Sequence, residues 1–312
     1  MIFFLNGQFV REEQAMVSVK DHGFLYGDGV YETLRTYHGK VWNVKAHIDR
    51  LFQSARGILL DVPWKKKEVE RWIEETVKRN GELVAVTLRQ AQGDNEVLNS
   101  QMVRAGRFLS RRQGTALRND SIMEYKIRVT ATRGANHFDF LTTKHPTICI
   151  APEPLLPEPP EVYEKGVSVI TFFMERIFPE VKSLNFLPAI LARQAAEKKK
   201  AYEAIFVNRD CFVTEGTITN VFLVCGDELI TPSEGVLGGT TREVILKLAK
   251  SVMRVRLRDI AKKELYFADE CFLSNTIRGI VPVVKIDGKK IGNGRCGFWT
   301  KRLRTAFLTK TG

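Results

Sequence analysis

One lysine, Lys182, stands in the run Val181-Lys182-Ser183-Leu184-Asn185-Phe186-Leu187, among apolar, small and amide neighbours. A lysine held away from water loses the solvation that favours its charge, so its pKa falls and the free amine becomes a nucleophile toward aldehydes. Further along, Gly238-Gly239-Thr240-Thr241 precedes a helical pattern, and Thr240 with Glu243 has the spacing of a capping box. Free backbone N–H groups at a helix start, approached through glycines, form a phosphate cradle to which a threonine hydroxyl adds a donor. Glu215-Gly216 falls on a turn between two strand patterns, where a carboxylate is able to hold a proton on a heteroaromatic nitrogen. Taken singly, each has an ordinary reading: a solvated lysine at a strand end, a helix cap, a solvated carboxylate. Together they describe a pyridoxal phosphate site, with a Schiff-base lysine, a pyridinium partner and a phosphate anchor.

The elements that must position these groups follow from periodicity. Ile2 to Leu5, the Asn6-Gly7 turn signal and Gln8 to Arg11 read as a hairpin. A glycine-rich stretch from Asp21 to Glu32 leads into an alternating strand at residues 30–37. Ile48, Leu51, Phe52 and Ala55 recur at helical spacing, with His47 and Arg50 on or beside the same turns. His47 reads there as a capped or surface residue. A second helix is expected over residues 66–78. From Gly81 to Glu124 lysine disappears and arginine carries all the positive charge, so residues 81–124 read as an insertion on a loop, with a basic arm for a partner as the functional alternative. Strands resume at residues 126–132 and 147–151.

Five prolines then crowd into residues 152–160, which predicts a stiff linker over residues 152–162 between domains at residues 1–151 and 163–312. Lys182 precedes a helix expected over residues 188–202, strands are expected at 203–208 and 219–224, and a helix closes the chain from Phe298.

Composition narrows the function classes. The chain of 312 residues is 44% hydrophobic and 27% charged. No apolar run reaches the length of a membrane span, and the first residues lack the order of a signal peptide. Five scattered cysteines, without a close Cys-x-x-Cys pair, argue against a metal site or a disulfide framework and for a reducing, cytoplasmic setting. The net charge of +12 lies in separate small groups without interleaved aromatic residues, so nucleic acid is not the expected partner.

The motifs Asp28-Gly29-Val30-Tyr31-Glu32, His47-Ile48-Asp49-Arg50-Leu51, Lys182-Ser183-Leu184-Asn185, Glu215-Gly216-Thr217, Asn220-Val221-Phe222, Gly239-Thr240-Thr241-Arg242 and Ala268-Asp269-Glu270 occur in that order. In this arrangement the chain resembles the class IV (fold type IV) pyridoxal-phosphate enzymes, which include branched-chain aminotransferase, D-amino-acid aminotransferase and aminodeoxychorismate lyase. The resemblance covers nearly the whole chain except residues 81–124. It implies a two-domain α/β (α+β) subunit with the cofactor, pyridoxal 5′-phosphate, in the interdomain cleft, and a homodimer. By the same resemblance Lys182 carries the Schiff base and moves the proton, Glu215 keeps the pyridine nitrogen protonated, and Arg50, Thr240, Thr241 and Thr276 bind the phosphate. Asn220 belongs to the cofactor site, Tyr31 lines the substrate pocket, and Arg133 is the candidate for the substrate carboxylate.

Two departures bear on subtype. Phe186 stands where branched-chain enzymes commonly show tyrosine, and Ala135-Asn136-His137-Phe138 does not match the Arg-x-His pair of D-amino-acid aminotransferases. The run from Lys182 to Leu187, in contrast, looks more like the D-amino-acid branch. The expected reaction is amino transfer between an amino acid, a branched-chain L-amino acid first, and a 2-oxo acid such as 2-oxoglutarate. The alternatives are a D-amino-acid aminotransferase, aminodeoxychorismate lyase, and a non-catalytic protein that binds an acidic partner through the insertion.

Overall fold

The computed structural model describes residues 1–93, 123–136 and 145–311. The arginine-rich part of the expected insertion (residues 94–122) and the pair His137-Phe138 lie outside the described residues.

The first half builds β1 (Ile2–Leu5), β2 (Gln8–Arg11), α1 (His22–Tyr26), β3 (Gly29–Tyr37), β4 (Lys40–Val41), α2 (Val44–Gly57), α3 (Lys66–Gly93), β5 (Tyr125–Thr132) and β6 (Thr147–Pro154). The strands form one sheet in the order β2-β1-β6-β5-β3-β4, antiparallel throughout. Asn6 and Gly7 both take positive φ, 47° and 92°, the geometry that lets a two-residue turn follow the twist of its strands. Helices α2 and α3 cover the sheet: Ile48, Leu51 and Ala55 of α2 and Val69 and Ile73 of α3 pack against Val30, Leu34, Ile127 and Ile150.

Two elements outrun the sequence expectation. Helix α3 does not stop at residue 78 but continues to Gly93, into the segment read as a loop insertion. A glycine inside a helix costs only about 1 kcal/mol relative to alanine, and no proline follows Gly81 until Pro146, so nothing local ends it. Strand β6 likewise runs on through Pro154, because its ladder with β5 reaches Tyr125 and takes in the first residues assigned to the linker.

The second half contains α4 (Pro160–Glu164), β7 (Val167–Phe173), α5 (Leu187–Lys198), β8 (Glu203–Val207), β9 (Phe212–Gly216), β10 (Asn220–Cys225), β11 (Glu228–Thr231), α6 (Thr240–Ala249), β12 (Arg254–Leu257), β13 (Ile260–Ala261), β14 (Glu270–Asn275), β15 (Gly279–Ile286), β16 (Lys289–Lys290) and α7 (Phe298–Thr311). Its sheet runs β12-β11-β10-β14-β15-β7-β8-β9-β13. One further pairing, Asn220 opposite Glu215, joins β9 to β10. The path β10-β14-β15-β7-β8-β9 therefore returns on itself as a closed ring of strands.

Closure buries both faces of these strands, which is why they read as continuous apolar runs rather than alternating ones. On β10, Val221 and Leu223 join one core with Val169, Ile205 and Val281, while Phe222 and Val224 join another beneath α6 and α7 with Ile245, Phe272, Leu303 and Phe307. Helix α5 crosses between the parallel strands β7 and β8, and its buried side is alanine (Ala189, Ala192, Ala196), so its backbone lies close to Ile170 and Phe206. It ends at Lys198, earlier than expected, because the chain turns back through Lys200 at a φ of 53°. Among the described residues no helix is long and apolar enough to cross a membrane.

Phe222 and Phe272 stack with centroids 4.7 Å apart and are both fully buried. Replacing Phe222 by alanine is expected to cost about 3–5 kcal/mol, read as a lower denaturant midpoint with an unchanged slope.

Candidate active site

Lys182 belongs in sequence to the second half but is stitched to the first. Tyr31 N–H donates to the Lys182 carbonyl (2.9 Å), Leu184 N–H donates to the Gly29 carbonyl (2.9 Å), and Ser183 pairs with Val30 as an isolated bridge. The backbone N–H of Lys182 donates to Ser54 Oγ on α2 at 3.1 Å. A side chain at Gly29 would stand 2.6 Å from the Ala131 carbonyl and 2.8 Å from Leu184 Cδ1, so the close approach of segment 182–184 needs glycine there. The Lys182 Nζ lies 4.5 Å from the centre of the Tyr31 ring, and the Phe186 ring lies 4.9 Å from that of Tyr31.

Lys182 lines a cleft together with Tyr31, Arg176, Glu215, Thr217, Asn220 and Leu237. Glu215 sits at the closure of the strand ring. Its Oε2 accepts the Leu237 N–H at 2.9 Å and the Asn220 amide at 3.5 Å, and its Oε1 lies 2.7 Å from Arg176 Nε. Burial pushes this carboxyl upward, and Arg176, the Leu237 N–H, Lys182 and Arg50 pull it back. Asn220 also donates to the Leu237 carbonyl at 2.9 Å, fixing the loop that walls the cleft.

A second cluster links the halves through charge. Arg50 on α2 grips Glu32 of β3 with both arms, Nε to Oε1 at 2.6 Å and Nη2 to Oε2 at 2.8 Å, and extends Nη1 to the Gly238 carbonyl at 2.9 Å. His47 Nδ1 meets Glu32 Oε2 at 2.7 Å, and its Nε2 meets Thr240 Oγ1 at 3.1 Å. Burial alone would raise the Glu32 carboxyl, but Arg50 and His47 outweigh it and hold it well below the usual range. Burial pushes His47 downward against the pull of Glu32. The neutral imidazole then donates from Nδ1 to the carboxylate and accepts at Nε2 from the Thr240 hydroxyl.

Thr240 and Thr241 occupy the first turn of α6, where the leading N–H groups have no partner within the helix. Among the described residues the Thr241 hydroxyl is buried without a hydrogen-bond partner, as is that of Ser274, which lies opposite Asn220 in the ladder. Thr276 is buried in the turn that follows β14. An orphaned hydroxyl, free helix-start donors and an adjacent buried guanidinium are the donor set that a phosphate dianion satisfies. The buried Glu215 suits a protonated ring nitrogen, and Lys182 lines the same cleft, so the residues fit pyridoxal phosphate.

Of the residues singled out in the sequence, Lys182, Glu215, Asn220 and Tyr31 meet at the cleft, and Arg50 and Thr240 meet in the charged cluster behind it. Arg133 stands apart. It forks onto Asp28 at 2.5 and 3.0 Å and donates to the carbonyls of Ile58 and Leu59 at 2.9 Å each, which commits its donors away from the cleft. Arg128 lies closer, with its guanidinium 4.0 Å from the Tyr31 ring centre, and among the described residues it has no ion pair. His47 is fully buried rather than at the surface. Its spacing of three from Arg50 on one helix face was the available signal; Arg128 and Arg176 carried none.

The family described as "Amino-transferase class IV" matches residues 29–103 and 107–286. A Methanocaldococcus jannaschii protein named "Putative branched-chain-amino-acid aminotransferase" is 37% identical, over 98% of this chain and 95% of its own. The D-alanine aminotransferase of Staphylococcus epidermidis is 30% identical over 97% and 95%. Among solved structures, the branched-chain aminotransferase from Thermoproteus uzoniensis with norvaline superposes with a TM-score of 0.80 at 26% identity, covering 100% of this chain and 94% of that one. The branched-chain amino acid aminotransferase from Escherichia coli gives 0.76 at 26% identity, covering 98% and 92%.

Because the Glu32 carboxyl is depressed in the folded state, its contribution is complete above the unfolded-state range and is lost as pH falls toward the folded value. Glu32→Gln should cost about 3–5 kcal/mol near neutral pH by leaving Arg50 buried and half-partnered. In denaturation curves the gap to the parent should stay constant above about pH 5 and narrow below it.

Proposed function

This chain belongs to the class IV aminotransferases, and we propose that it moves an amino group between a branched-chain L-amino acid and a 2-oxo acid such as 2-oxoglutarate. The observation that carries the reading is one cleft lined by both Lys182 and the buried Glu215, with the charge of Arg50, held at the start of α6, acting on that carboxylate. When bound, pyridoxal phosphate supplies an aldehyde that takes up amines and a ring that draws in the electron pair left at the substrate Cα. Lys182 would hold the cofactor through Nζ and would carry the proton to and from the substrate Cα. Glu215 would hold the ring nitrogen protonated. Arg50, the Thr241 hydroxyl and the first N–H groups of α6 take the phosphate, with Thr276 on the adjoining turn. Asn220 holds Glu215 and the Leu237 loop in register, and Tyr31 forms the pocket wall.

For the substrate carboxylate the guanidinium of Arg128, which no acid holds among the described residues, replaces Arg133, whose donors are committed to Asp28 and to backbone. The 37% relative supports branched-chain over D-amino-acid substrates. The reading also takes residues 1–151 and 163–312 as two domains, and a homodimer in the cytoplasm. Exposed Ile177, Phe178, Leu187, Ile190 and Leu191 around the Lys182 segment support a second copy covering that face, and five free cysteines support a reducing compartment.

The first test is the visible spectrum of the protein with pyridoxal phosphate. A band of lysine-bound cofactor is expected in the parent, absent in Lys182→Ala, and bleached by L-leucine; bleaching by D-alanine alone would give the D-amino-acid reading instead. Arg128→Met should raise KM for the amino acid about tenfold to a hundredfold, the loss of one charge-assisted hydrogen bond, with the cofactor band retained.

A further inference from the structure

Glu215 has a partner that no motif in the chain announces. Arg176 comes from the connection between β7 and Lys182, and its Nε lies 2.7 Å from Glu215 Oε1. The arginine is itself held on two other sides. Its Nη2 donates to the Thr217 carbonyl at 2.6 Å, and its guanidinium lies 5.4 Å from the Phe206 ring centre. Only 22% of the side chain is exposed, and it lines the same cleft as Lys182 and Glu215. It therefore spans from the lysine-bearing segment to the turn that follows Glu215.

The geometry defines what Arg176 does there. Glu215 Oε2 is taken by the Leu237 N–H and the Asn220 amide, while Oε1 meets Arg176 as an ion pair only, since the Arg176 Nε–H has no hydrogen-bond acceptor among the described residues. A carboxylate this buried goes neutral unless a cation stands against it. Three other cations act on or near it: Lys182 across the cleft, Arg50 on α2 and Arg242 on α6. Arg50 is committed to Glu32 by two hydrogen bonds, Arg242 donates to the Pro232 carbonyl, and Lys182 has its amine in the chemistry. Among the described residues only Arg176 forms an ion pair with Glu215.

We propose that Arg176 is the positioning residue for Glu215: its charge, 2.7 Å from Oε1, keeps the carboxylate ionised in the cleft. The inference rests on reading Glu215 as the partner of the cofactor's ring nitrogen, but its test does not. In cofactor-free protein labelled with ¹³C-carboxyl glutamate, the Glu215 resonance is assigned by its loss in Glu215→Gln and followed against pH. Arg176→Gln should move its titration upward by about 1–3 pH units, the effect of removing an adjacent opposite charge, and Arg176→Lys should restore most of it. Arg176→Met, which keeps an unbranched stem against Phe206, should move it by the same amount. An unchanged titration in a folded Arg176→Gln or Arg176→Met protein overturns the proposal. A moved titration in a protein whose parent takes up no pyridoxal phosphate upholds it and overturns the functional reading instead.

Discussion

The site depends on one buried carboxylate. Glu32 is 1% exposed and is gripped by Arg50 and His47, which are themselves buried on α2. Buried charges are tolerable only when paired and fully hydrogen-bonded, and here the pairing faces outward as well as inward. Arg50 reaches beyond Glu32 to the Gly238 carbonyl, and His47 reaches beyond it to the Thr240 hydroxyl. A charge cluster founded on the first sheet thereby sets the start of a helix that belongs to the second. Without Glu32 the guanidinium would lose two of its three acceptors, and the helix start would lose its tether to α2.

The Lys182 segment answers the same requirement with backbone instead of charge. Residues 182–184 trade hydrogen bonds with Gly29 and Tyr31 at the start of β3, so the lysine carbonyl and amide are fixed by groups from the opposite half of the chain. Two independent ties, one ionic and one of backbone, thus cross between the halves. The groups that meet there are carried on rigid elements: Lys182 on a bridged segment, Glu215 at the end of β9, Asn220 at the start of β10, Tyr31 within β3. Positioning of this kind lets a small number of polar atoms act on one bound molecule without reorganising.

The closed ring of strands explains why Glu215 can be buried at all. The single pair between Glu215 and Asn220 joins β9 to β10, and a side chain on Gly216 would stand 2.1 Å from Thr219 Oγ1. That tight corner brings the carboxylate, the Thr217 carbonyl and the Leu237 N–H together, and Arg176 completes the set from outside the ring. Burial raises the energy of the charge, and the convergent donors lower it again. A carboxylate poised in this way responds to its neighbours more strongly than a solvated one.

Local patterns settled what is local. Asn6-Gly7 dictated a hairpin because few other residue pairs accept two positive φ values, and the spacing of Ile48, Leu51 and Ala55 dictated the buried face of α2. Lys182, Glu215 and the Gly-Thr helix start were legible because each carries chemistry that its residue type alone suggests. The rest needed the folded chain. Helix α3 passed Gly81 because one glycine is a weak stop, which no window of sequence could weigh against packing. Arg133 and Arg128 lie five positions apart, yet only the fold gives one an aspartate and two carbonyls and leaves the other beside Tyr31 without an ion pair among the described residues. His47 was one histidine among five until Glu32 was brought against it, and Arg176 had no motif. Residue type determines which chemistry a side chain can offer; long-range pairing alone determines which charge stands next to which, because Coulomb and hydrogen-bond energies depend on distances of a few ångströms that sequence separation does not encode.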